Sequence, residues 1–280
     1  MSVKQIFPAP FLFWLIAYMV VVIGCNRQSS PNTAVVKKAI KPIEKYYGNW
    51  LCSNLIDSIK ANRTQKAILN SLHLPYAYEF QFDDSFNDSV LIYNGFEQYF
   101  LPVAIRNDSV IIENAVKGNP MILAFDSISG TIKMMIAGHD YPLPLVYYKA
   151  DEKYIQPNGR FKESFTAAFN DASIAGSYTV ISNNKLRGNQ VIFNTNGSVS
   201  GLSDGYLYRC CIGGDCLETT SEPANTFTLI NNTPPDETWS WQFDNSGEQL
   251  ALKKLKASVE GKTSKKAPEE LLLLVRNKSN

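Results

Sequence analysis

Residues 77–96 read AYEFQFDDSFNDSVLIYNGF. Tyr78, Phe80 and Phe82 alternate with other residues, so an extended chain would place the three rings on one face. The run then meets Asp83, Asp84, Asn87 and Asp88, residue types that favour turns through local side-chain hydrogen bonds. A second strand-like run, SVLIYNGF, starts at Ser89. The spacing predicts two antiparallel strands joined by a polar turn. The Asp/Asn cluster is rich in hard oxygen donors, but it lacks the Asp-x-Asx-x-Asx-Gly order of a calcium loop. A hairpin turn is the expected role.

The same pattern continues downstream. QYFLPVAI (98–105), SVIIENA (109–115), MILAFDS (121–127), TIKMMIA (131–137) and LVYYK (145–149) are separated by RND, VKGNP, SG and GHDYP. Those separators are turn chemistry, so the arrangement reads as an antiparallel meander. Residues 151–175 interrupt it with Pro157-Asn158-Gly159 and with Phe161, Phe165 and Phe169 at helical spacing. That stripe is the face that packs a helix on a sheet, or else the lining of a ligand portal. Eight further runs follow: SYTVIS, NQVIFNT, SVSGLS, YLYRCCI, TFTLIN, TWSWQF, QLALKKLKA and ELLLLVR. Asn196-Gly197 and Asn245-Ser246-Gly247 supply turns where positive φ is needed. The expected class is mainly β, with antiparallel meander barrels and a few short helices.

The N-terminus has the order of an export signal. Lys4 is a lone charge, and Ile6 to Gly24 carry none. The stretch is also long enough to span a bilayer, although Pro8 and Pro10 disfavour the start of such a helix. Val22-Ile23-Gly24-Cys25 resembles the lipobox of bacterial lipoproteins. That resemblance implies that 1–24 is a signal peptide and that Cys25 becomes the first residue, carrying diacylglycerol on its thiol and an acyl chain. The alternative is an uncleaved anchor in which Cys25 is incidental. Residues 25–45 are polar, include Pro31 and Pro42, and read as a flexible tether to a membrane. Asn26 is not aspartate, so by the same resemblance the address is the outer membrane.

Tyr47-Gly48-Asn49-Trp50 opens the folded part, and Ile174-Ala175-Gly176-Ser177-Tyr178 repeats Gly-x-aromatic. The first triplet resembles the entry motif of lipocalins and their calycin relatives. There the glycine turns the chain under a barrel, the aromatic plugs the floor, and a basic residue on the last strand packs over it as a cation–π pair. Lys149 lies 99 positions after Trp50, and Arg276 lies 98 after Tyr178. The resemblance therefore implies two tandem lipocalin-like modules, 46–150 and 151–280, with the helix-containing break between them. A single barrel across 47–277, with Arg276 over Trp50, is the competing layout. After Trp50, Leu55, Ile56 and Ile59, then Ile68, Leu69 and Leu72, suggest two short helices with Thr64 as a cap between them. In the resemblance these form a lid. An Arg-x-Tyr carboxylate clamp like that of fatty-acid-binding proteins is missing from the last strand.

With Cys25 lipidated, Cys52, Cys210, Cys211 and Cys216 remain, an even number in an exported chain. Cys211 and Cys216 flank a short turn and can bond. Cys210 then pairs with Cys52 or stays reduced, and a Cys210–Cys216 bond is the alternative. The three cysteines of CCIGGDC lack the CxxC spacing of a zinc site. His73 and His139 are the only histidines. His139-Asp140 has no nucleophile elbow to serve, and Walker, GxGxxG and HExxH motifs are absent. Trp239, Trp241 and Phe243 share one strand face, as core or as cavity lining. Lys253, Lys254, Lys256, Lys262, Lys265 and Lys266 crowd the last hairpin, as an aggregation-blocking edge or a contact for anionic lipid. Removal of 1–24 leaves 26 basic and 26 acidic residues, no surplus for binding nucleic acid. The expectation is a lipid-anchored, non-enzymatic envelope protein with no metal and no cofactor beyond its lipid. Its barrels bind a small hydrophobic ligand, or they are filled and serve as a structural or protein-interaction module.

Overall fold

The computed structural model describes residues 43–63, 76–138, 144–155, 164–182, 185–202, 204–212, 225–244, 247–255 and 270–277. The signal and most of the tether, Thr64 with the second lid helix, both histidines, Phe161, Cys216, Asn245-Ser246, and Lys256, Lys262, Lys265 and Lys266 lie outside them. Pro42–Asn280 forms one compact unit containing two sheets.

The first sheet holds β1 (Gly48–Cys52), β2 (Glu79–Phe82), β3 (Ser89–Tyr93), β4 (Gln98–Pro102), β5 (Ala104–Arg106), β6 (Ser109–Val116), β7 (Asn119–Asp126), β8 (Thr131–Ile136) and β9 (Leu145–Lys149). Its order is β4-β3-β2-β1-β9-β8-β7-β6-β5. Every neighbour is antiparallel and sequential except β1–β9, so the meander curls until its ends meet. The one seam lies between β4 and β5. QYFLPVAI, read as one strand, is broken there at Val103, whose N–H donates to Asp88 O, one pair beyond the Ser89–Pro102 end of the β3–β4 ladder. Preceding it is Pro102, which has no N–H to give.

The second sheet holds β10 (Gly176–Ser182), β11 (Lys185–Phe193), β12 (Val199–Ser200), β13 (Gly205–Cys210), β14 (Thr226–Asn231), β15 (Glu237–Phe243), β16 (Gln249–Leu255) and β17 (Glu270–Arg276), in the order β12-β11-β10-β17-β16-β15-β14-β13. Here too the first strand meets the last. The β12/β13 seam is partly stitched by the Ser198–Leu207 bridge. SVSGLS yields only two strand residues, because at Gly201 the chain crosses so close to Gln190 O that no side chain would fit. Both sheets are nearly closed antiparallel barrels in tandem. Trp50 pairs with Lys149 and Tyr178 with Arg276, so the chain does not form a single barrel.

Two helices lie beside the strands. In α1 (Ser53–Asn62), Leu55, Ile56 and Ile59 make one buried stripe. Its start is tied to β9, since the Ser53 hydroxyl donates to Val146 O and Asn54 Oδ1 accepts from Val146 N. Arg63, in left-handed conformation, ends it. In α2 (Ser164–Ala172), Phe165 and Phe169 are fully buried, so the described part of the phenylalanine stripe is packing. Phe165 lies 4.9 Å from the Tyr78 ring. Tyr78 therefore leaves the face of Phe80 and Phe82: β2 begins only at Glu79, and the residue before it is free of the strand's alternation. Glu79 is 0% exposed, on the side of β2 opposite Phe80. Its Oε2 accepts the Phe165 N–H at 2.8 Å and its Oε1 accepts from Gln81 Nε2. A carboxylate at the start of a helix neutralises orphan N–H groups and the positive end of the dipole. The helix joining the barrels is thereby anchored on the outer wall of the first.

Candidate functional site

The barrel bases are built twice from equivalent parts. Trp50 Nε1 donates to Tyr46 O, and the Tyr178 hydroxyl donates to Ile174 O, each four residues upstream. Ala150 N donates to Asn49 O, and Asn277 N to Ser177 O, each donor one residue after the basic position. Gly48 and Gly176 have φ of +121° and +155°. A Cβ at Gly48 would stand 2.6 Å from Lys149 Cε, and one at Gly176 would stand 3.2 Å from Arg276 Nε. The positive φ favours glycine at both positions, and the end of the last-strand basic side chain lies over each.

The aromatic–cation contact differs between the two. Arg276 Cζ sits 6.0 Å from the Tyr178 ring centre, and its Nη2 donates to Ala175 O. Burial raises the Tyr178 phenol pKa, with Arg276 and Arg63 pulling it back. Lys149 makes no such contact with Trp50 among the described residues. It lies along Gly48, while Phe125 meets the indole edge-on at 6.0 Å. A flexible ammonium has no planar face to stack, as a guanidinium has.

The first barrel satisfies itself. Tyr46 is fully buried, and its hydroxyl donates to backbone carbonyls, of which Leu123 O lies at 3.0 Å, and accepts from Phe125 N. Trp50 on β1 reaches Phe125 on β7 across the interior, and Phe80 packs 4.8 Å from Tyr147. The Tyr147 hydroxyl donates to Ala77 O at 2.6 Å. Nothing in the motif reading pointed to Tyr46. Aligning the two repeats would have found it, since Tyr46 and Ile174 hold the same place.

The second barrel has an aromatic layer at its base. Tyr178, Phe193, Tyr208, Phe227 and Trp241 are linked by ring contacts of 5.1–6.1 Å. Further along β15, Glu237 accepts from Lys254 Nζ at 2.6 Å and from Trp239 Nε1 at 2.9 Å. The Tyr208 hydroxyl donates to Asn194 O. Trp241 is 2% exposed, and its Nε1–H has no acceptor among the described residues.

Cys52 and Cys210 are buried free thiols. This corrects two of the disulfide assignments, Cys52–Cys210 and Cys210–Cys216. Cys52 lies on β1 of the first barrel and Cys210 on β13 of the second, each held inside its own wall. Burial pushes the Cys52 thiol pKa up to about 11 and raises that of Cys210 as well. No two cysteines among the described residues lie close enough to bond. Of the turn cluster, Asp83 caps Ser85 through its N–H and hydroxyl, and Asn87 and Asp88 take positive φ. None of the helices among the described residues is long and apolar enough to cross a membrane. Fold and site together define a tandem antiparallel β-barrel protein. No protein-family model matches the chain, and no curated protein or solved structure matches it either.

Proposed function

We propose that the protein is a lipid-anchored, non-catalytic protein of the outer membrane, in which the first barrel is a closed support and the second takes a small hydrophobic ligand. The contrast between the interiors carries this reading. In the first barrel Tyr46, Trp50 and Tyr147 all find acceptors within the chain. In the second, one inward donor, Trp241 Nε1–H, finds none among the described residues. A buried unpaired donor costs about 1–3 kcal/mol, and native interiors rarely leave one without a partner. The lipobox and polar tether supply the address. Purified protein should release a bound small molecule under native mass spectrometry, and recovery of bare protein alone from its own membranes would refute the ligand. Radiolabelled palmitate should be incorporated by the wild type and not by Cys25→Ala; label persisting in the variant would refute the anchor.

A second reading, a protein-interaction module, rests on the outer wall of the first barrel. Ala104, Ile111, Ile122 and Met135 pair in register across β5–β8 as one apolar row, with Met135 48% exposed. It predicts a bare second barrel and a partner lost on Met135→Lys.

A further inference from the structure

The polar groups inside the second barrel indicate what kind of molecule it takes, provided the ligand reading above holds. The Tyr178 and Tyr208 hydroxyls donate to backbone carbonyls, and Trp239 Nε1 and Lys254 Nζ both donate to Glu237. Each of these groups has a protein partner. Among the described residues Trp241 Nε1–H has none; the Phe227 and Trp241 ring centres lie 6.1 Å apart, and Leu252 is the partner of Trp241 in register.

A lone water is a poor solution to this arrangement. Buried waters typically make about three hydrogen bonds to polar neighbours, whereas the ring neighbour and the register partner of Trp241, Phe227 and Leu252, are hydrocarbon. A carboxylate is no better: an ion buried with one neutral donor keeps most of its desolvation cost, and the guanidiniums at the base of the barrel, Arg276 and Arg63, are engaged by Ala175 O with the Tyr178 ring and by Gly247 O with the Phe243 ring. Lys254, the one cation on this inner face of β15–β16, is held by Glu237. A neutral acceptor on an apolar body meets both conditions, because one hydrogen bond satisfies the oxygen and the donor while the remainder packs against hydrocarbon.

We propose that the second barrel binds a neutral amphiphile through a single carbonyl or ether oxygen received by Trp241 Nε1–H, and that it discriminates against the corresponding free acid. Trp241 is then the residue that sets both polarity and orientation of the ligand.

The test compares a monoacylglycerol with the fatty acid of the same chain length, titrated by calorimetry into the delipidated full-length protein and into Trp241→Phe. Phenylalanine keeps an aromatic ring in the layer and removes only the donor, and circular dichroism confirms that the variant is folded. The ester should bind the wild type, the acid at least about ten-fold more weakly, and Trp241→Phe should lose roughly five- to ten-fold for the ester, the size of one neutral hydrogen bond. Equal ester affinity in wild type and variant overturns the assignment to Trp241 while leaving a ligand-binding barrel intact. Preference for the acid overturns the neutral-ligand inference alone. Binding of neither probe, with one ordered water on Nε1 in a crystal, overturns the inference together with the function it rests on.

Discussion

Cys52 and Cys210 face the interiors of different barrels, and their thiols are kept protonated by burial. A thiol reacts as thiolate, so neither should be labelled by iodoacetamide in the folded protein at neutral pH. Unfolded without reductant, the chain should take up label at these two positions only, with Cys211 and Cys216 joined to each other; four labelled cysteines in the mature chain would refute that bond. A second effect at this scale is pH-dependent. Desolvation pushes the Asp171 pKa upward, but the Tyr154 hydroxyl and the Lys153 ammonium, 2.9 Å away, outweigh it and hold the carboxyl below its usual value of 3.8. A lowered folded pKa gives stability that is complete above the unfolded value and lost as pH falls through the folded one. Melting temperature should therefore drop between about pH 5 and pH 3 more steeply in wild type than in Asp171→Asn. Parallel curves would remove Asp171 from the account.

At the scale of elements, α2 is held on the first barrel by Glu79. Neither α1 nor α2 exceeds ten residues, too short to be stable alone in water, so their order depends on such contacts. Glu79→Ala leaves the Phe165 N–H and the Gln81 amide unpaired beside a new void. It should cost about 3 kcal/mol in urea unfolding, with Glu79→Gln retaining part of it because an amide oxygen can still accept. A loss below about 0.5 kcal/mol would show that the helix docks without help from Glu79. The helix itself was legible from Phe165 and Phe169 at four-residue spacing. The role of Glu79 was not: a glutamate in a strand pattern reads as solvent-facing, and only the helix laid over that face buries it.

At the scale of the molecule, the barrels touch through α1. Its terminal Arg63 donates to Gly247 O at 2.9 Å, and its guanidinium lies 5.0 Å over the Phe243 ring, 184 and 180 residues away in sequence. The same guanidinium lies close enough to Arg276 to lower its own pKa, after the larger effect of burial. Arg63 thus links the first barrel to the base of the second. Scanning calorimetry of wild type should show one cooperative transition, and Arg63→Ala should separate it into two or lower it by about 1–2 kcal/mol of coupling. An unchanged single endotherm would mean the barrels are coupled elsewhere.

The amino-acid sequence alone determined the β class, the meander order and the two base motifs. Each follows from local chemistry: alternation on a pleated strand, turn residues at strand ends, and a glycine two residues before an aromatic. The pairing of Lys149 with Trp50 and of Arg276 with Tyr178 was expected from the lipocalin resemblance as a cation–π contact; the strands bring both pairs into register, and only Arg276 lies over its ring. The tertiary structure alone decided which polar groups would be buried and whether they would find partners. Tyr46, Glu79 and Arg63 take their roles from Trp50, Phe165 and Gly247, which lie 4, 86 and 184 positions away. Hydrogen bonding is a property of the surroundings in three dimensions. Tryptophan at 239 and tryptophan at 241 look alike in a strand, yet one donates to Glu237 and the other is left without an acceptor among the described residues.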